Sequence, residues 1–575
     1  MFWMKPVSLK LRKIVCLLLA AQFLLGLGIV FMLPPFEGTD ETAHFSRLQS
    51  EAFFPQTSLA TAQSPRDNSA AFSISTDVLD YYRHGPMPYG WIHFPPMHEH
   101  DPVRIFYTYD EFFKNQPLMD GYAKSYRQTP LAAAYVPGPE PNWEGQHPGF
   151  YYLLLSKVMK LLAGHASLVT TLTVLRLFSF VLAFSGFCIG LWGTWIHGQK
   201  IGWPNYAIIL TLGLLYPFLM PEYAWEFARL GNDSLCLFLF GIIWFMTLWL
   251  MRDPRSDAWL FLGLGLGFSC FAKALMMPVA FGILGFLFFE GLRASFSKKP
   301  QHPGVWPSFI KATALFLLMV MPVYVIRYLS HGTVGANEFT YALQQPDALS
   351  IMREHLTWQY IRPGLEQIFY ILVWMSATGS ALVVDLPMHK FLYGFSLVVL
   401  ASYLLALVRD RRSFLCLPFW VMGPVLCGLF AHIIVAHVSG GTFTPGWYLH
   451  ALAPAFMLIY GLGLHLLTSS AWLKPIFFCL SAVIIGLNFI IVWAHMAVFS
   501  ACAVPKARGD LVYWIAPQDL FACAGQFNLV MDRLGVLAWP YMALSGFGLA
   551  LLCLMAAAFI ACRNQPRVIV LPASL

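Results

Sequence analysis

Residues 14–33 read IVCLLLAAQFLLGLGIVFML and run straight into residues 34–47, PPFEGTDETAHFSR. The first stretch carries no charge, and at about 1.5 Å per residue in a helix it covers the roughly 30 Å hydrocarbon core of a bilayer. Lys5, Lys10, Arg12 and Lys13 precede it, as in a secretory signal. The run is too long for one, however, and no small-residue cleavage site follows. It therefore predicts an uncleaved first transmembrane helix that starts in the cytoplasm. At Pro34 the chain leaves the apolar phase, and Glu37, Asp40 and Glu41 follow at once.

The rest of the sequence has the same character. Of its 575 residues 58% are hydrophobic, 16% aromatic and 11% charged, where an ordinary soluble domain is about 25% charged. That composition excludes a disordered chain, a disulfide scaffold and a soluble multidomain enzyme. The net charge of +7 reports topology rather than a nucleic-acid partner, because basic residues collect on cytoplasmic loops and face anionic membrane lipids.

Further runs of spanning length lie at 169–193, 204–221, 234–251, 307–327, 390–408, 414–436, 447–468, 475–497 and 538–561. Ala258 to Glu290 is long enough for two short spans. A lysine at mid-bilayer costs about 2.5 to 3.5 kcal/mol, so a hairpin with Lys273 at its outer turn is the cheaper arrangement. Residues 364–388 carry Ser376, Thr378, Gly379, Ser380 and Asp385. If they form a helix on the outer surface, every short basic loop falls inside: Lys200; Arg252 and Arg255; Arg293, Lys298 and Lys299; Arg409, Arg411 and Arg412; Lys474; and Arg563 with Arg567. The expected fold is an all-α polytopic membrane protein of about 12 spans with both termini cytoplasmic.

The chain then divides into residues 1–33, the cytoplasmic N-terminus and first helix; 34–168, a long outer loop with interfacial helices; 169–327, spans two to seven; 328–389, an outer loop with an interfacial helix; and 390–575, spans eight to twelve and a cytoplasmic C-terminus. Glu222 to Asp233, His437 to Gly446 and Val498 to Leu537 complete the outer face. Gly149 to Gly164, with Lys157 and Lys160, is too short to span and predicts an amphipathic interfacial helix. Cys502 and Cys523 share the last outer loop, where an oxidising compartment would leave them either as a disulfide or as two free thiols.

Chemistry is expected on the outer face. After Pro34-Pro35, Thr39 is the expected N-cap of a helix beginning Asp40-Glu41, and acidic residues there suit the helix dipole without any catalytic role. Yet Asp40, His44 and Arg47 stand at i, i+4 and i+7, which gathers a carboxylate, an imidazole and a guanidinium on one face. Asp40 and Glu41 are about 100° apart on a helix, so only one can point at a reacting atom and the other would hold the helix or a neighbouring loop. Gln146-His147-Pro148-Gly149-Phe150-Tyr151-Tyr152 closes the loop, and reads also as a helix start with aromatic anchors. Arg229 lies beside three carboxylates at a bilayer boundary, and Asn232 or Asp233 could be only a cap. Lys273, Arg327 and Arg362, with Tyr448 and His450 at the start of the tenth span, could together form an anion pocket, though each alone reads as a snorkelling or pairing residue. His93, His98, Glu99, His100 and Asp101 lack any regular metal-ligand spacing, and no cysteine pattern suggests zinc.

In this order the motifs resemble a GT-C-type membrane glycosyltransferase. These are a first span followed by Pro34-Pro35 and Asp40-Glu41 with His44, then His147-Pro148 with Tyr151-Tyr152, Arg176-Leu177, Asn232-Asp233 and Lys273. More narrowly, the chain resembles a bacterial family of predicted membrane proteins of unknown function within that superfamily. The likeness covers nearly the whole chain. It implies an enzyme of the bacterial inner membrane that takes a sugar from a polyprenyl-phosphate carrier and transfers it, on the outer side, to a glycan, lipid or protein acceptor of the cell envelope. It implies Asp40 as general base and Glu41 or Asp233 in orientation. Lys273 and Arg229 would stabilise the leaving phosphate, and His44, Arg47, His147, Tyr151, Asn232, Tyr448 and His450 would contribute to substrate binding. Some GT-C enzymes use a divalent metal, which could sit here between Asp40 and Asp233, although the sequence does not require one. Two departures stand out. Many relatives have Gly-Arg-Tyr where this chain has Gly446-Trp447-Tyr448, and the second proline of His-Pro-Pro is Gly149 here. A polytopic transporter or lipid flippase, an O-antigen ligase-like enzyme and a membrane scaffold share the composition. The position of the largest outer loop, directly after the first span and opening on the acidic pair, favours the glycosyltransferase.

Overall fold

A computed structural model describes residues 9–54, 73–91, 106–296, 305–331, 350, 353–354, 357–373, 380, 382–384, 388–410, 412–438, 446–507 and 513–562. Among them ten helices are long and apolar enough to cross a membrane, and a bent pair makes eleven. The protein is thus a multi-pass helical membrane protein. The expected first span is α1, Leu9–Met32. The expected hairpin around Lys273 also forms, from Ala258–Ala272 and Met276–Phe296 with Lys273 capping the first helix. Its first limb has only 15 residues, about 22 Å, so it falls short of a full span.

Close approach of small residues sets the bundle. Helix α1 packs against Pro540–Cys562, with Gly28 facing Ala543 and Phe547. The long helix Leu168–Lys200 crosses Asp233–Arg252 where Gly186 meets Gly241; a Cβ on either would strike the other helix's backbone. Lipid offers no hydrophobic drive between helices, so such contacts carry the association.

Four expectations need correction. The span at 204–221 breaks: Tyr206–Gly213 is followed by a single turn, Tyr216–Leu219, and then a 72° bend into Pro221–Ala228. Pro217 and Pro221 lack the N–H donors that would continue the helix. All eight residues of Pro221–Ala228 are buried, so the segment expected as an outer loop is an inserted helix rather than an exposed loop. The fold is not purely α. Strand β1, Ser73–Ser75, pairs antiparallel with β2, Pro137–Pro141. In a second sheet β3, Leu382–Val384, runs parallel to Tyr513–Ile515, which pairs antiparallel with Lys506–Ala507. Long outer segments must still satisfy their backbone groups, and short strands do so between distant loops. The outer region at 364–388 contributes a helix that begins earlier, Trp358–Val373, and then β3. Finally, Thr39 is not the N-cap of α2, Glu41–Phe53; Asp40 is.

The segment 149–164 is helical as α3, Phe150–Leu162, with Tyr151, Tyr152, Leu155 and Met159 buried and Lys157 and Lys160 exposed. Cys502 and Cys523 are disulfide-bonded, their Cα atoms 5.8 Å apart. His93, His98, Glu99, His100, Asp101, Ser376, Thr378, Gly379, Asp385, Lys298, Lys299, Arg411, Arg563 and Arg567 lie outside the described residues, as does the side chain of Arg327.

Candidate active site at the rim of the helical bundle

The turn that leaves α1 is unusual in its backbone. Phe36 (φ 59°) and Asp40 (φ 61°) are both left-handed, a conformation tolerated by aspartate but strained for a bulky residue. Between them Gly38 has no room for a Cβ, which would strike Glu41 and Arg229. Its N–H instead donates to Glu41 Oε2 at 3.0 Å. Pro-Pro-Phe-Glu-Gly-Thr-Asp-Glu is therefore a tight fold-back at the membrane boundary.

Glu41 holds that fold in place. Arg176, on Leu168–Lys200, donates from Nε to Glu41 Oε1 at 2.7 Å and from Nη2 to Oε2 at 2.5 Å. The same guanidinium reaches the carbonyls of Leu33 at 2.6 Å and Pro34 at 2.7 Å, just past the end of α1. The N–H of Leu230 adds a further bond to Glu41 Oε1 at 2.8 Å. Both oxygens of Glu41 are thus engaged, and its side chain is fully buried. Adjacent Asp40 is half-exposed. Its Oδ1 accepts from Trp143 Nε1 at 2.9 Å, and its Oδ2 has no partner among the described residues. Burial first, and then the charge of Glu144, raise its affinity for a proton; Arg229, the Trp143 bond and Lys273 oppose them.

Behind Asp40 lies a network of paired charges. Arg229 forks onto Glu226, at 3.0 Å from Nε and 2.6 Å from Nη2, and donates to the Thr39 carbonyl at 2.9 Å. It also stands 3.4 Å from Asp233 Oδ2. Lys273 Nζ donates to that same oxygen at 2.7 Å and sits 4.0 Å from the centre of the Tyr448 ring. Asp233 Oδ1 and the amide of Asn232 have no hydrogen-bond partner among the described residues. Lys273 and Arg229 already answer the charge of Asp233 through Oδ2, and a cation placed on Oδ1 would stand close to both. Among the described residues no group of three or more His, Cys, Asp or Glu side chains is disposed to hold a metal. The residues present therefore do not fit a metal between Asp40 and Asp233.

The close of the long segment after α1 supplies a carboxylate that the sequence reading overlooked. Glu144, in the turn Trp143–Gln146, places Oε2 3.3 Å from Tyr152 Oη, 3.3 Å from His147 Nε2 and 3.6 Å from His44 Nδ1. Burial pushes its carboxyl up to about 7; Lys273 and Arg229 hold it down, and Asp233 raises it. Burial, with Lys273 next, pushes His147 down to about 3, and the same two causes together with Arg229 hold His44 well below its ordinary value. Both imidazoles are neutral. Only its position three residues before His147, where one helical turn brings the two together, singles out Glu144 in the sequence.

The other expected residues are placed deeper. His44 Nδ1 bonds Tyr152 Oη at 2.8 Å, and Arg47, fully buried, lies over the Tyr152 ring. Helix α3 covers that face of α2, so these two are buried beneath it. Tyr151 is tied to Ser179 at 2.6 Å. His450 is buried, its Nδ1 2.7 Å from Tyr216 Oη. Arg362 is instead exposed on Trp358–Val373 and paired with Glu366 at 2.7 Å. The structure thus brings Asp40, His147, Lys273 and Tyr448 together at the rim with Trp143 and Glu144. Asp233 and Arg229 stand directly behind, and Glu41, His44, Arg47, Tyr151, Asn232 and His450 in the supporting layers.

No family model and no curated protein matches this chain. Among solved structures, the crystal structure of ArnT from Cupriavidus metallidurans bound to undecaprenyl phosphate is similar at 13% sequence identity, over 76% of this chain and 70% of that one, with a TM-score of 0.36. What the site can do follows from its own residues.

Proposed function

We propose that this chain is a membrane glycosyltransferase of the GT-C type. It moves a sugar from a polyprenyl-phosphate-linked donor to a cell-envelope acceptor at the outer side of the bacterial inner membrane. The observation that supports this most directly is Asp40, a carboxylate with one free oxygen at the membrane rim, beside a lysine and above a bundle of apolar helices. A lipid-linked donor would lie with its chain in the bilayer and its phosphate at the level of Lys273.

The acceptor hydroxyl attacks the anomeric carbon as the bond from that carbon to the phosphate oxygen breaks. The proton passes to Asp40 Oδ2, and the phosphate leaves with the bonding electron pair. A single displacement inverts the anomeric centre. Partial burial makes Asp40 a stronger base than a free aspartate, and Lys273, set on Asp233 and Tyr448, meets the charge that develops on the phosphate. Arg229 serves at one remove, because Glu226 and Asp233 already answer its charge. It positions Thr39 and so Asp40. Glu41 likewise orients the turn rather than touching substrate.

Removing a positioned base costs about 10² to 10⁴ in rate. The test compares surface glycans and accumulated polyprenyl-phosphate sugars in a deletion strain complemented with wild type or Asp40→Asn. Asp40→Asn is expected to leave the deletion phenotype in place while its protein accumulates normally. Full complementation by Asp40→Asn would remove the base assignment, and no change in either pool on deletion would favour a transporter or a scaffold.

A further inference from the structure

We propose that Asp40 and Glu144 work as one coupled pair of carboxylates, with Glu144 the positioning residue through whose charge Asp40 becomes a base. The reading rests on the proposed function only for the origin of the proton.

Charge pairing at the rim supports it. Arg176 is matched by Glu41, Arg229 by Glu226 and Lys273 by Asp233. Glu51 is the carboxylate nearest in influence to Arg47. Once these pairs are made, Glu37, Asp40 and Glu144 have no salt bridge to Lys or Arg among the described residues; Glu37 spends both oxygens on Tyr109 and Ser380, which leaves Asp40 and Glu144 with an open oxygen each. The imidazoles that touch Glu144, His44 and His147, are neutral and cancel nothing. Tyr152 and Tyr448, the phenols that face the pair, also carry no charge near neutral pH.

The backbone holds the two groups in register. Trp143 and Glu144 are consecutive, and the Trp143 indole donates to Asp40. Glu144 N–H is capped by Asn142 Oδ1 at 2.9 Å, while Asn142 Nδ2 donates to the Ala43 carbonyl on α2 at 2.8 Å. The turn carrying one carboxylate is therefore pinned to the helix that the other begins. Glu144 spends Oε2 on Tyr152, and Oε1, like Asp40 Oδ2, has no partner among the described residues. Two carboxylates with open oxygens, on segments pinned together in a partly dry site, each make the other harder to ionise, so that one takes up a proton before the other. A proton taken up by Asp40 then meets a neighbour whose negative charge stabilises it.

The test uses the full chain in nanodiscs and dicyclohexylcarbodiimide, which reacts with protonated carboxyls, with labelling of Asp40 followed by peptide mass spectrometry across pH. Removing the neighbouring negative charge favours ionised Asp40. In Glu144→Gln the half-labelling pH of Asp40 is therefore expected to move down, and Glu144→Asp is expected to keep it near wild type. By reciprocity Asp40→Asn moves the half-labelling pH of Glu144 down as well. That second variant keeps the test valid if Glu144→Gln folds poorly. In the transfer reaction the acidic limb of kcat/KM should move down with Glu144→Gln. Unchanged half-labelling of Asp40 in Glu144→Gln, or of Glu144 in Asp40→Asn, would overturn the pair. Shifted labelling in a chain without transferase activity would uphold the pair and remove the glycosyltransferase reading alone.

Discussion

The guanidinium of Arg176 donates to Glu41, Leu33 and Pro34 from the third turn of a transmembrane helix, where it is almost fully buried. Burying such an ion pair gains little net stability, but removing one partner strands the other charge. Arg176→Met should therefore cost about 3 to 5 kcal/mol, seen as a lower melting temperature and a smaller monodisperse fraction in detergent. The double variant Arg176→Met, Glu41→Met should recover part of that loss; wild-type melting in the single variant would deny the clamp its role. The sequence alone showed that Asp40 and Glu41 could not both face one atom. Their division of labour became visible only when Arg176, 135 residues downstream, closed on Glu41.

At the scale of elements, Glu37 joins the turn after α1 to two other outer segments. Its Oε2 accepts from Tyr109 Oη at 2.6 Å and its Oε1 from the N–H of Ser380 at 3.0 Å. Burial outweighs these bonds and pushes its carboxyl from 4.5 up to about 8. Between those values the folded chain holds a proton that the unfolded chain has lost, so stability falls as pH rises through that window and levels off above about 8. Glu37→Gln should flatten this decline. Melting temperatures of wild type and variant from pH 5 to about 9 check it, and parallel curves would contradict it. The spans were legible because a 20-residue apolar run has few other readings. The break at Met220 and the strands between distant loops were not, since prolines at a span's end fit either a stop or a bend, and strands of two to five residues carry no periodic signal.

For the whole molecule, the distribution of Lys and Arg predicts orientation. A cysteine at Ser256, beside Arg252 and Arg255, should react with an impermeant maleimide only from the cytoplasmic side. One at Gln526, near the disulfide, should react from outside; both are measured against nine native free thiols. Equal labelling of both from one side would overturn the topology.

The sequence by itself determined that the chain crosses the membrane many times, and it marked Asp40, His147, Lys273 and Tyr448 as polar groups out of place beside apolar helices. Burial in lipid is a property of local composition, so it can be read locally. Tertiary structure alone decided which charges are spent on one another. Pairing of Arg229 with Glu226, of Lys273 with Asp233 and of Arg176 with Glu41 depends on where helices far apart in the chain come together. Only after that pairing do Asp40 and the unsuspected Glu144 stand out as carboxylates with neither a cationic partner nor both oxygens bonded.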